Sequence, residues 1–102
     1  MNILIPADMA DKEEAKITPL DEVSVWHLLE FYDGQVHNYQ FYNNKDDIKE
    51  FIDVIIVKDQ SEYVWPYMEE GIAVLVAPIQ MYVEDVMEAF LFKELHDLNI
   101  GN

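Results

Sequence analysis

Two eight-residue runs, Val25 to Tyr32 and Gln35 to Tyr42, are separated only by Asp33-Gly34. Both turn residues tolerate positive φ, which a two-residue hairpin loop requires, so this stretch reads as a β-hairpin. If the pair is the whole loop, Tyr32 faces Gln35 and strict alternation sets the rest of the register. One face then carries Trp26, Leu28, Glu30 and Tyr32 opposite Phe41, Tyr39, His37 and Gln35. The other carries Val25, His27, Leu29 and Phe31 opposite Tyr42, Gln40, Asn38 and Val36. Large apolar groups on both faces predict that both are at least partly covered.

The remaining apolar runs fix what the hairpin joins. Asn2 to Ile5, stopped by Pro6, reads as a short buried strand. Residues 7 to 21 are polar and read as one long loop. Val54-Ile55-Ile56-Val57 is four β-branched residues in a row, the signature of a central parallel strand. Ile72 to Ala77 repeats the pattern before Pro78. Three helices are predicted: Asn44 to Ile52; Ser61 to Glu70, with a late start or a kink at Pro66 and a Gly71 cap; and Val83 to Leu98. Helices, unlike a hairpin, can provide parallel crossovers. The expected fold class is therefore α/β: one domain over residues 1–102, with a five-stranded mixed sheet in the order 3-2-1-4-5 covered by helices. That is a ribonuclease H-like topology.

Charge narrows the function classes. The chain of 102 residues has 21 acidic groups against six basic ones, a formal charge of −15, and no arginine. Nucleic acid and anionic membranes both need clustered positive charge, so neither is an expected partner. With 51% hydrophobic side chains the chain is too apolar for a disordered acidic tail. There is no cysteine, which removes disulfides, thiolate nucleophiles and thiolate-held metal centres. The first residues lack a basic n-region and no run is long enough to span a bilayer, so the expected address is the cytoplasm.

Candidate chemistry gathers beyond the carboxyl ends of the parallel strands, where ligands of such sheets bind. Asp8 follows the first strand and Asp59 the second, and together they are the candidate divalent-cation pair. The competing reading is two loop-start acids in a chain already one-fifth acidic. His27, His37 and His96 lack metal-ligand spacing and are read as structural: His37 paired across the hairpin with Glu30, His96 in the last turn of the final helix. Trp26, Tyr39 and Phe41 form an aromatic stripe on the hairpin in this register. Phe92 points away from the apolar stripe of the last helix. Tyr39, Phe41 and Phe92 are thus the candidate interaction surface.

Read in order, the segments resemble a known family. Asn2-Ile3-Leu4-Ile5-Pro6-Ala7-Asp8 is similar to the opening "KIAIPSD" of the dinitrogenase iron–molybdenum cofactor biosynthesis family. Asp53 to Val57 resembles its "DVVIAG" strand and Gly71 to Val76 its "GIKVYL" strand. Val83 to Leu91 with Glu94-Leu95 looks like its closing "VEEALEAFLxGEL". The resemblance implies a ribonuclease H-like fold and a small, non-catalytic accessory protein that binds or carries an iron–sulfur or iron–molybdenum cluster. Members of that family usually carry a Ser-x-His-Phe-Gly-Arg-like motif before the hairpin and a Gly-rich stretch before the first helix. Thr18 to Ser24 and Asn43 to Asp47 stand there instead, so no cluster-binding residue carries over. Two functions follow: a cluster carrier, or a divergent protein-interaction or regulatory module, with a protein partner or a second copy as its target.

Overall fold

The computed structural model describes residues 1–98. Its strands are β1 (Asn2–Ala7), β2 (Val25–Tyr32), β3 (Gln35–Tyr42), β4 (Val54–Val57), β5 (Ala73–Val76) and β6 (His96–Asp97); its helices are α1 (Trp65–Glu69) and α2 (Val83–Leu91). All six strands form one sheet in the order β3-β2-β1-β4-β5-β6. β1 pairs antiparallel with β2 and parallel with β4; β4 and β5 are parallel; β6 runs antiparallel on β5. The expected order of five strands is present, extended by a sixth at one edge.

Alternation splits the apolar residues of each strand between two cores. On one face Ile3, Ile5, Leu29, Val54 and Ile56 pack against Val83 and Val86 of α2, with Ala15 and Ile17 from the segment after β1. On the other, Leu4, Trp26, Leu28, Ile55 and Val57 pack with Val64 and Ile72 on either side of α1. A nine-residue helix is marginal by itself. Full burial of Val83 and Val86, about 1.5–3 kcal/mol for each such side chain, is what seats α2.

Several local expectations are corrected. The helix over 44–52 is only a single 3₁₀ turn, Lys45–Asp47, whose N-terminus is capped by Asn44 accepting from the Asp46 amide. Within 61–70 the helix starts late, as expected, giving α1, because Pro66 fits only the first turn. Gly71, at φ 79°, ends α1 as expected, its amide donating to Met68 O and that of Ile72 to Tyr67 O. The helix over 83–98 stops at Leu91: Lys93 adopts φ 58°, and the Lys93 and Glu94 amides donate to Phe90 O and Ala89 O. Those two bonds make a Schellman cap, and the chain leaves it into β6, so His96 lies in a strand and not in a helix.

The last correction concerns the hairpin. Asp33 and Gly34 take φ 53° and 74°, as a type I′ turn demands, and Tyr32 faces Gln35. A β-bulge then intervenes between Glu30 and Phe31, so Phe31 faces Val36 while Glu30 faces Asn38. One extra residue on β3 moves every later side chain to the opposite face. Tyr39 and Phe41 therefore join His27, Leu29 and Phe31 on the α2 side, and the stripe they were expected to form with Trp26 does not exist. His37 is the extra residue. Its ring stacks on Tyr32 at 3.5 Å and Nε2 bonds Tyr32 O, in place of the expected pair with Glu30.

Candidate functional site

The parallel strands end in three segments that fold over one another. After β1, the Asp8 amide donates to Lys16 O while Asp8 Oδ1 accepts from the Lys16 amide at 2.8 Å. The chain thus turns back on itself, and Ala15 and Ile17 are buried beneath. Ile17 bonds Met81 O and Val83 bonds Ala15 O, tying this segment to the one leading into α2. Inside the turn, Asp11 Oδ1 accepts from the Glu13 and Glu14 amides, which hold its carboxyl below the usual range.

Under this cover lies His27, whose side chain is completely buried. Its Nε2 is 2.7 Å from Met9 O and its Nδ1 is 2.6 Å from the Tyr39 hydroxyl. A carbonyl can only accept, so Nε2 carries a proton. Burial pushes the imidazole pKa down, against the opposing pull of the Met9 carbonyl and the charges of Asp8 and Asp11. The neutral ring then has Nδ1 free to accept, and the Tyr39 hydroxyl donates to it. Tyr39 in turn is pushed far above an ordinary phenol by burial, helped by Asp11 and Glu84. Tyr39 and Phe41 present their rings edge-on to the imidazole, with centroids 5.4 and 4.8 Å away. Lys12 Nζ sits 5.1 Å from the Tyr39 ring centre. The imidazole is thus neutral, with both ring nitrogens bonded. It is a polar rivet holding the turn after β1 onto the hairpin.

The second segment follows β4. Glu62 gathers three backbone donors, the Leu20 amide on one oxygen and the Lys58 and Asp59 amides on the other. It thereby fixes the 3₁₀ turn Leu20–Glu22 beside the end of β4. Asp59 Oδ1 accepts from the amide and the hydroxyl of Ser61, which lower its pKa. These groups wall an acidic cleft of about 780 Å³ that also includes Asp21, Glu70 and Tyr67. Lys45 Nζ lies over the Tyr67 ring at 5.1 Å.

Asp8 and Asp59 thus belong to separate hydrogen-bond sets, each serving its own loop. Among the described residues no three His, Cys, Asp or Glu are grouped to hold a metal ion. Tyr39 and Phe41 are brought together around His27, with Phe41 37% exposed. Phe92 stands apart at the C-cap of α2, 66% exposed. The His27–Tyr39 pair escaped the sequence reading because a bulge joins them. One signal was present: Val36, Tyr39 and Phe41 share a face only if β3 gains a residue between 36 and 39.

An iron cluster of the kind the resemblance implies needs thiolate or imidazole donors. The chain has no cysteine. His27 has both nitrogens committed, His37 is held against Tyr32 at the hairpin turn, and His96 opens the edge strand β6. These donors do not fit such a cluster.

No protein-family model and no curated protein matches the sequence. Solved structures do match. The crystal structure of a candidate dinitrogenase from Methanocaldococcus jannaschii superposes with a TM-score of 0.74 over 99% of this chain and 97% of that one, at 20% identity. The crystal structure of the protein PH0822 gives a TM-score of 0.76 over 95% and 96%, at 14% identity. The fold is shared end to end. At these identities the likeness is one of architecture. Among the described residues no helix is long and apolar enough to cross a membrane.

Proposed function

We propose that this chain is a non-catalytic accessory protein on the ribonuclease H-like scaffold of the dinitrogenase iron–molybdenum cofactor biosynthesis family, working through protein contacts and not by carrying a cluster. The scaffold is supported by the order of family-like segments and by the two solved structures of the same fold. The observation that carries the reading is His27, the imidazole at the ligand-facing end of the sheet, with both nitrogens engaged by Met9 and Tyr39. The surrounding carboxylates add to it. Asp8, Asp59 and Glu62 accept from backbone amides of their own or an adjoining loop, and their charge opposes an anionic cofactor.

Anaerobic reconstitution with ferrous iron and sulfide tests the reading. The expected product is colourless, with iron well below one cluster per chain after desalting. Visible charge-transfer absorption with stoichiometric iron and sulfide would instead establish a carrier.

A further inference from the structure

The sheet has two edges of opposite character. β6 is two residues long and includes an acid, Asp97. β3 is eight residues long, and the run 35–44 around it contains no Asp, Glu or Lys in a chain with 27 of them. Exposed edges are ordinarily blunted by short length, lysine, proline or a bulge. Only the bulge is present, and beyond it residues 38–42 pair regularly with β2. On this edge the Tyr39 amide donates to Asn38 Oδ1 at 3.0 Å, so it is turned away from β2. Backbone groups alternate along a strand, which turns those of Phe41 outward as well. The Tyr39 and Phe41 rings, with centroids 5.3 Å apart, border the same free edge.

Resting on the reading of the chain as a protein-contact module, we propose that β3 pairs antiparallel with β3 of a second copy, about a two-fold axis at Gln40. In this register Tyr39 of each copy faces Phe41 of the other. Once Asn38 Oδ1 releases the Tyr39 amide, the outward amides and carbonyls of both residues exchange hydrogen bonds, and aromatic meets aromatic on the α2 face. Asn38 faces Tyr42, and the two Gln40 side chains meet on the axis. A two-fold contact requires a strip complementary to itself, which this alternation supplies. The uncharged strip 35–44 marks where two such acidic chains can meet. Two molecules of charge −15 repel over most approaches, and this edge brings them together with no acid facing another.

Sedimentation equilibrium over about 10–200 μM tests the pairing. The full chain is expected to dimerise reversibly. Gln40→Glu keeps the acceptor that Tyr42 Oη now uses and sets two carboxylates on the axis, so association should weaken by about tenfold or more. Gln40→Lys should weaken it similarly, and an equimolar mixture of the two variants should restore it as a heterodimer. Circular dichroism confirms that each variant is folded. A monomeric wild type at the highest concentration, a dimer indifferent to both substitutions, or a mixture that stays monomeric would each overturn the proposal. Cluster uptake on reconstitution would overturn the functional reading and leave this result standing.

Discussion

The residue that does most to define the candidate site is a histidine kept neutral. His27 is buried between Ile5 and Phe41 on neighbouring strands, with the Met9 carbonyl and the Tyr39 hydroxyl as its hydrogen-bond partners. Because burial lowers its pKa below 6.5, the unfolded chain binds the proton more readily than the folded one. The stability this group contributes is therefore fully present above pH 6.5 and lost as the pH falls toward the folded pKa. The loss is limited to about 1.4 kcal/mol per pH unit for one proton. Melting wild type and His27→Gln at about pH 7.5 and 5.5 isolates it. The variant should be less stable at the higher pH by about 1–3 kcal/mol, since partners are left poorly satisfied. Its melting temperature should then fall less than that of wild type on acidification. Equal falls would show that His27 is not held neutral.

At the scale of elements, the ends of helices are where physical rules and this sequence part company. Gly71 stands at the positive-φ position after α1, where a missing Cβ removes the steric cost. After α2 the same Schellman geometry is imposed on Lys93, at the place where the resembled family pattern has Gly. Replacing Lys93 by Gly should stabilise the fold by about 0.5–1 kcal/mol, the relief of left-handed strain exceeding the added chain entropy. For a domain of this length that raises the melting temperature by several degrees, about 4–8 °C for each kcal/mol. An unchanged or lowered value would mean the strain is compensated elsewhere.

The same position explains why β6 was not legible. Without a Gly or Pro to mark the stop, the apolar period of α2 runs on to Leu98 in the sequence, while in the fold Leu98 packs in the core on the other face of the sheet. The helix over 44–52 failed for a related reason. Ile48 and Ile52 do pack into the core around Trp26, but from an extended segment, so a helical stripe and a loop lying on the sheet predict the same burial.

For the whole molecule, the first five strands and their order were legible because burial on both faces leaves a strong mark: four β-branched residues in β4, a turn pair between β2 and β3. The hairpin register was not, because one bulged residue at His37 exchanges the faces of Tyr39 and Phe41 and thereby builds the His27 pocket. The acids were legible as charge but not as contacts. Asp8, Asp59 and Glu62 are individually ordinary, and only the fold shows each one capping amides of its own or an adjoining loop. At the carboxyl ends of the parallel strands, beside the acidic cleft, the chain's own hydrogen bonds engage Asp8, Asp59, Glu62 and both ring nitrogens of His27. Long-range proton–nitrogen correlation spectra of the His27 ring measure that directly, before and after addition of ferrous iron and sulfide under argon. The expected ring is neutral, protonated on Nε2 and unchanged by the additions. A ring that titrates like a solvent-exposed histidine, carries its proton on Nδ1, or is broadened away by iron would contradict it.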